Sequence, residues 1–137
     1  MKKTIHNNIK PPYSLHDMSI TAFEVTDALI TMRTDTGMID TAPPYTQVDG
    51  YVEFYDVRWD FSYVYLWSET ENAKKFEGEK MFLKDFIDRF TQFCFSIMDE
   101  TFGYNTTKYS GFLLSDRRHY ECIVEIYHVG DRVFVEV

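Results

Sequence analysis

Residues 51–67 read YVEFYDVRWDFSYVYLW, and their pattern decides the fold. Side chains along a β-strand point alternately to opposite faces, and both halves of this stretch alternate. Val52, Phe54, Val64 and Leu66 fall on a purely apolar side. Tyr51, Glu53, Tyr55, Tyr63, Tyr65 and Trp67 fall on the other, which is aromatic but keeps hydroxyls, an indole N–H and a carboxylate. An ordinary half-exposed sheet has a polar outer face, so an aromatic one asks for a cover or a partner. Two strands are expected, 51–57 and 61–67, with Arg58-Trp59-Asp60 at the turn.

On the N-terminal side, 18–25 and 28–33 are short strand-like runs with Thr26-Asp27 between them. Residues 34–48 contain Thr36-Gly37 and Pro43-Pro44 and read as a long loop, a class that is often functional. Residues 1–17, polar and interrupted by Pro11-Pro12, suit a loose arm or an extended edge piece. On the C-terminal side a charged connector, 68–80, leads to 82–98. There Leu83, Phe86, Ile87, Phe90, Cys94 and Ile97 recur at three- and four-residue spacing, opposite Lys84, Asp85, Asp88, Arg89 and Gln92. That spacing predicts one main amphipathic helix. Three further strands are expected at 109–115, 118–128 and 132–137. Asp116-Arg117 and Gly130-Asp131 serve as turns, the second as a two-residue hairpin link.

The order strands, helix, strands predicts an α+β fold in a single domain, 1–137. It would be one antiparallel, curved sheet of about six or seven strands, with the helix at 82–98 packed on one face. One helix covers only part of one face. The Tyr/Trp side therefore needs sheet curvature, the 34–48 loop, a second subunit or a ligand to cover it.

Composition agrees with a globular chain of ordinary single-domain size: 137 residues, 45% hydrophobic and 26% charged. The 12 Phe, 10 Tyr and 2 Trp suffice for a core and leave Tyr for other uses. The net charge is −8, and it is unevenly placed. Between Thr34 and Asn72 lie eight carboxylates (Asp35, Asp40, Asp49, Glu53, Asp56, Asp60, Glu69 and Glu71) against one base, Arg58, a local charge of −7. Such a field repels nucleic acid and attracts basic partners, besides keeping the chain soluble. The opening MKKTIHNNIKPPYS has no apolar h-region, and no run approaches the ~18 apolar residues of a membrane span. A cytoplasmic protein with no membrane and no nucleic-acid partner is expected.

Candidate chemistry is sparse. His16-Asp17 resembles half of a metal-binding pair but has no second His at ligand spacing. Glu53, Asp56 and Asp60 lack the ordered spacing of a calcium loop, so no metal and no cofactor is expected. Arg117 and Arg118 could clamp a phosphate or carboxylate, or pair with the acidic segment. Cys94, on the helical pattern among Phe90, Phe93, Phe95 and Ile97, and Cys122, on a strand pattern, look like small buried hydrophobes. There is no G-x-S-x-G, no phosphate-binding glycine loop, no H-E-x-x-H and no paired C-x-x-C. The sequence thus leans away from an enzyme.

Tyr and Trp dominate interface hot spots, so the aromatic side is the strongest recognition surface. The expected function is a non-enzymatic acidic binding protein. Tyr51, Tyr55, Tyr63, Tyr65 and Trp67 would dock a basic protein partner while Glu53, Asp56 and Asp60 steer it. Two alternatives stand beside it: a small-molecule or enzymatic pocket between sheet and helix, and a structural subunit whose aromatic face is a homodimer seam. In size, acidity and single-domain plan the whole chain resembles bacterial toxin-neutralising immunity proteins. That resemblance implies protein binding and carries no motif.

Overall fold

A computed structural model describes residues 1–6, 10–68 and 78–137. Among them are thirteen strands: β1 (Lys2–Ile5), β2 (Tyr13–Ser14), β3 (Ser19–Thr26), β4 (Leu29–Thr34), β5 (Met38–Asp40), β6 (Gln47–Val48), β7 (Gly50–Phe54), β8 (Tyr63–Ser68), β9 (Gly78–Phe82), β10 (Cys94–Gly103), β11 (Thr106–Ser115), β12 (Arg118–Tyr127) and β13 (Arg132–Glu136). One α-helix, α1 (Leu83–Arg89), joins β9 to β10. Ten strands form one antiparallel sheet in the order β1-β13-β7-β4-β3-β10-β11-β12-β8-β9, and β2-β5-β6 form a second. The fold is therefore mostly β. The expected α+β plan, with six or seven strands and one dominant helix, is wrong on both counts.

The helix expected over 82–98 stops after seven residues, where the Phe90 N–H closes the last turn on the Phe86 carbonyl. From Cys94 the chain is strand, paired with β11 from Cys94↔Leu114 to Gly103↔Thr106. An apolar run fits both periods here: Phe86, Phe90 and Ile97 suit a helix, while Phe93, Phe95 and Ile97 alternate. The long ladder with β11 settles the choice for 94–98, a tertiary partner that periodicity cannot reveal. Of the connector expected over 68–80, residues 69–77 lie outside the described residues; Ser68 ends β8 and Gly78–Lys80 open β9.

Two expected hairpins are also absent. The strands of the 51–67 stretch do not pair: β7 lies between β13 and β4, and β8 between β12 and β9. Nor does β12 pair with β13 across Gly130-Asp131. Instead 128–131 crosses an end of the curled sheet alongside 55–57. There Tyr55 N–H bonds to Asp131 O, Val129 N–H to Asp56 O and Arg58 N–H to Tyr127 O, and Val57 bridges His128. Two other hairpins are as expected. β3 and β4 pair, with Asp27 at φ 53 in their turn. Asp116 and Arg117, at φ 50 and 62, make the two-residue turn between β11 and β12, whose positive φ values match the twist of the flanking strands.

The sheet curls around one core. Phe54 on β7 reaches Tyr109 on β11 with ring centroids 6.4 Å apart, although three strands separate them in the sheet. Ile30, Met32, Val52, Phe54, Ile97 and Phe134 are fully buried. Fully burying a side chain of this kind contributes about 1.5–3 kcal/mol. α1 inserts Leu83 and Phe86, and Phe86 stacks on Phe90 at 4.7 Å and meets Phe93 and Phe23. Those rings fill the space between helix and sheet. The segment expected as an arm supplies the edge strand β1 and the buried Tyr13 and Leu15. The stretch read as a loop supplies β5 and β6, with Met38 fully buried. Lys2 and Lys3 on β1 and Glu79 and Lys80 on β9 place charge on the two edge strands, which discourages edge-to-edge association.

Candidate functional site: an aromatic outer sheet face

The alternation read from 51–67 holds in space. Val52, Phe54, Val64 and Leu66 point into the core, and Tyr51, Tyr55, Tyr63, Tyr65 and Trp67 are half-buried on the outside. The pairing order splits that outer set in two, so the eight candidate residues do not form one surface.

The β7 half is covered by the chain's own cations. The Arg33 guanidinium lies 4.3 Å over the Tyr51 ring, a cation–π contact, and Arg33 also pairs with Glu24 at 3.0 Å. Glu53 is only 8% exposed, and its Oε1 sits 3.5 Å from Lys3 Nζ without a hydrogen bond. Burial, and then the neighbouring Glu53 carboxylate, raise the Tyr55 phenol above its ordinary range. Asp56, at φ 51, lies 3.4 Å from Arg58. Asp60 sits exposed in a 3-10 turn whose carbonyl accepts a hydrogen bond from the Tyr63 hydroxyl at 3.0 Å. Among the described residues, the acidic window is thus partly answered by the chain's own cations, Lys3 at Glu53 from outside it and Arg58 at Asp56 from within.

The β8 half is built differently. Tyr63 stacks on Phe82 at 5.4 Å, and Lys80 Nζ stands 4.2 Å from the Tyr63 centroid and 5.5 Å from that of Tyr65. Beyond Lys80 the register lines up Trp67 with Glu121 and Phe112, and Tyr65 with Ile123, Ser110 and Asp99. The β10–β11 register shifts between Ile97 and Asp99, leaving Met98 as an unpaired bulge residue. A groove of about 330 Å³ results, lined by Trp67, Met98, Phe112 and Ile123 with Asp99 and Glu121 at its rim. Phe112 is 48% and Leu114 43% exposed, contiguous apolar surface of the sort that marks interaction sites. Among the described residues no lysine or arginine lines the groove and neither Asp99 nor Glu121 makes an ion pair; the nearby Lys108 is engaged by Glu125 at 3.6 Å.

Of the residues on this surface the sequence reading names Tyr65 and Trp67 and does not name Met98, Asp99, Phe112, Glu121 or Ile123. Part of the signal was present, since Glu121, Ile123 and Glu125 alternate with the inward Cys122 and Val124. The rest is hidden, because the apolar spacing predicts a helix that runs to 98.

The other candidates resolve simply. His16 Nδ1 lies 3.1 Å from Asp17 Oδ2, and among the described residues no three His, Cys, Asp or Glu side chains gather as a metal site. Cys122 is buried and its thiol is pushed up to about 12 by that burial, so it is inert at neutral pH. Cys94 is half-buried on β10 rather than seated on a helix. Arg117 and Arg118 are exposed at the β11–β12 turn, with Arg118 5.5 Å over Tyr120.

A comparison of the chain with known protein families, curated proteins and solved structures finds no match, so function is read from its own residues. Among the described residues no helix is long and apolar enough to cross a membrane.

Proposed function

We propose that this chain is a non-enzymatic binding protein that takes a basic segment of a protein partner on the outer face of β10–β11–β12–β8. The observation that supports this reading is the groove beside Trp67. Its floor is apolar and aromatic, and among the described residues its two carboxylates make no ion pair and no base lines it. A lysine or arginine side chain matches it: the stem packs on Met98, Phe112 and Ile123, and Asp99 and Glu121 receive the charge. Carboxylates at an exposed rim speed encounter and select the sign of the partner more than they add affinity.

The test is a nuclear magnetic resonance titration of the full chain with an arginine-containing peptide and with its glutamate counterpart. The basic peptide is expected to shift the Trp67 indole and the Phe112 and Ile123 resonances, and Glu121→Lys with Asp99→Lys to abolish the effect. Equal response to both peptides, or binding that survives the double charge reversal, would overturn the reading. Self-association through the same face would show instead as concentration-dependent shifts without peptide.

A further inference from the structure

At the crossover end of the sheet lies a second cleft, of about 590 Å³, lined by His6, Phe102, Asn105, His128, Gly130 and Arg132 among others. Arg132 opens β13 on the inward side, in step with Phe134, and is only 6% exposed. Its guanidinium lies 3.9 Å over the Phe102 ring. Among the described residues no carboxylate stands within ion-pair reach of it. Burial pushes it down to about 9, which still leaves it cationic at neutral pH. A buried cation without a counter-charge is among the costliest arrangements a fold can hold.

The hydrogen-bond chain behind Arg132 is fully assigned and leaves its outer side open. His128 Nδ1 sits 3.0 Å from the Gly130 carbonyl, which can only accept, so Nδ1 carries the proton. Nε2 then accepts from the Thr107 hydroxyl at 2.8 Å, and Thr107 Oγ1 accepts from Arg132 Nη1 at 2.5 Å. Burial holds His128 below its ordinary range, as this neutral tautomer requires. Thr107 and His128 thereby fix the guanidinium but supply no negative charge. Among the described residues three buried polar atoms here find no hydrogen-bond partner: Arg132 Nε and both ring nitrogens of His6. His6 meets Phe102 edge-on at 5.0 Å, so these unsatisfied atoms surround one aromatic ring. Buried polar groups are otherwise almost always paired.

We propose that this cleft is an anion-binding site, in which Arg132, oriented by Thr107 and His128 and flanked by His6, receives a carboxylate or phosphate group. A planar guanidinium offers such groups a forked, charge-assisted contact. The cleft has one carboxylate, Asp131, whose exposed side chain makes no ion pair among the described residues and which favours a ligand of low charge. This site is distinct from the Trp67 groove and does not depend on it.

The experiment titrates inorganic phosphate and acetate into the full chain, with chloride at matched ionic strength as control, following His6 and His128 side-chain resonances and the thermal midpoint. Saturable shifts of both histidines with phosphate or acetate, and a raised midpoint, are expected; which anion saturates first identifies the ligand class. Arg132→Met should weaken the effect at least about tenfold, and Arg132→Lys, which keeps charge but loses the fork, should fall between. Shifts that only follow ionic strength would overturn the proposal. So would an Arg132→Met variant that folds and binds phosphate like the parent. Should Arg132→Met fail to fold, the histidine titration of the parent chain decides alone.

Discussion

The two halves of the 51–67 stretch look alike in sequence and end in opposite conditions. On β7, Tyr51 lies under Arg33 and Glu53 beside Lys3, so the polar outer side is absorbed into the molecule. On β8, Lys80 covers Tyr63 and Tyr65, while beside Trp67 lie Asp99 and Glu121, which no cation of the described residues answers. The strands alternate equally well; what differs is the neighbour each receives from the pairing order. An aromatic outer side is therefore not a binding face until the adjacent strands have been named.

Substitutions on the shared inner side should give the largest effects and treat the halves alike. Phe54→Ala and Leu66→Ala each remove a fully or almost fully buried side chain. They are expected to cost about 3–5 and 2–5 kcal/mol respectively in chemical denaturation. A loss under about 1 kcal/mol at either position would mean that its strand is not seated in the core.

Acid should act next, through the crossover that follows the β8 side and leads into the β7 side. His128 is held below its ordinary range by burial, so below about pH 6.5 the unfolded chain binds a proton that the native chain resists. Stability should fall as pH drops through 6.5 towards the folded value, no faster than about 1.4 kcal/mol per pH unit for this one group, and then level. Glu100, raised by burial, works in the opposite sense, because the native chain takes its proton first. The difference between parent and His128→Leu isolates the histidine; a difference that does not vary between pH 7 and 5 would refute this account.

The outer side should then separate the halves. Arg33→Ala strips the cation from Tyr51 and is expected to cost about 0.5–1 kcal/mol of stability while leaving a basic peptide bound as before. Phe112→Ser, at a half-exposed position, should change stability by no more than about 0.5 kcal/mol yet weaken that peptide. If Arg33→Ala impaired binding and Phe112→Ser did not, the assignment of the two halves would have to be exchanged.

Local features were legible in the sequence and partners were not. The inward set of Val52, Phe54, Val64 and Leu66, the 19–34 hairpin and the Asp116-Arg117 turn all follow from side-chain alternation and turn chemistry. Which strand lies beside which depends on contacts far apart in the chain. That is why 51–67 was taken for a hairpin and Gly130-Asp131 for a tight link. The 94–98 segment failed for a related reason, since its apolar spacing fits two periods and only β11 chooses between them. Arg132 was readable in principle, as it shares a strand face with Phe134. An arginine in step with buried phenylalanines signals a charge taken into the interior.

The place of β13 carries a consequence for how the chain reaches its native state. This strand, 132–136, is not at an edge: it is inserted between β1 and β7 and, among the described residues, supplies the only ladder that β1 has. Residues 2–5 therefore have no strand to join until residue 136 has been made. Joining the first strand through the last is slow, because a long loop must close before any contact repays it. Until then β7 presents a bare hydrogen-bonding edge with Val52 and Phe54 behind it. A nascent chain in that condition is prone to pair with another copy of itself, so the interval before β13 docks is when aggregation should be greatest.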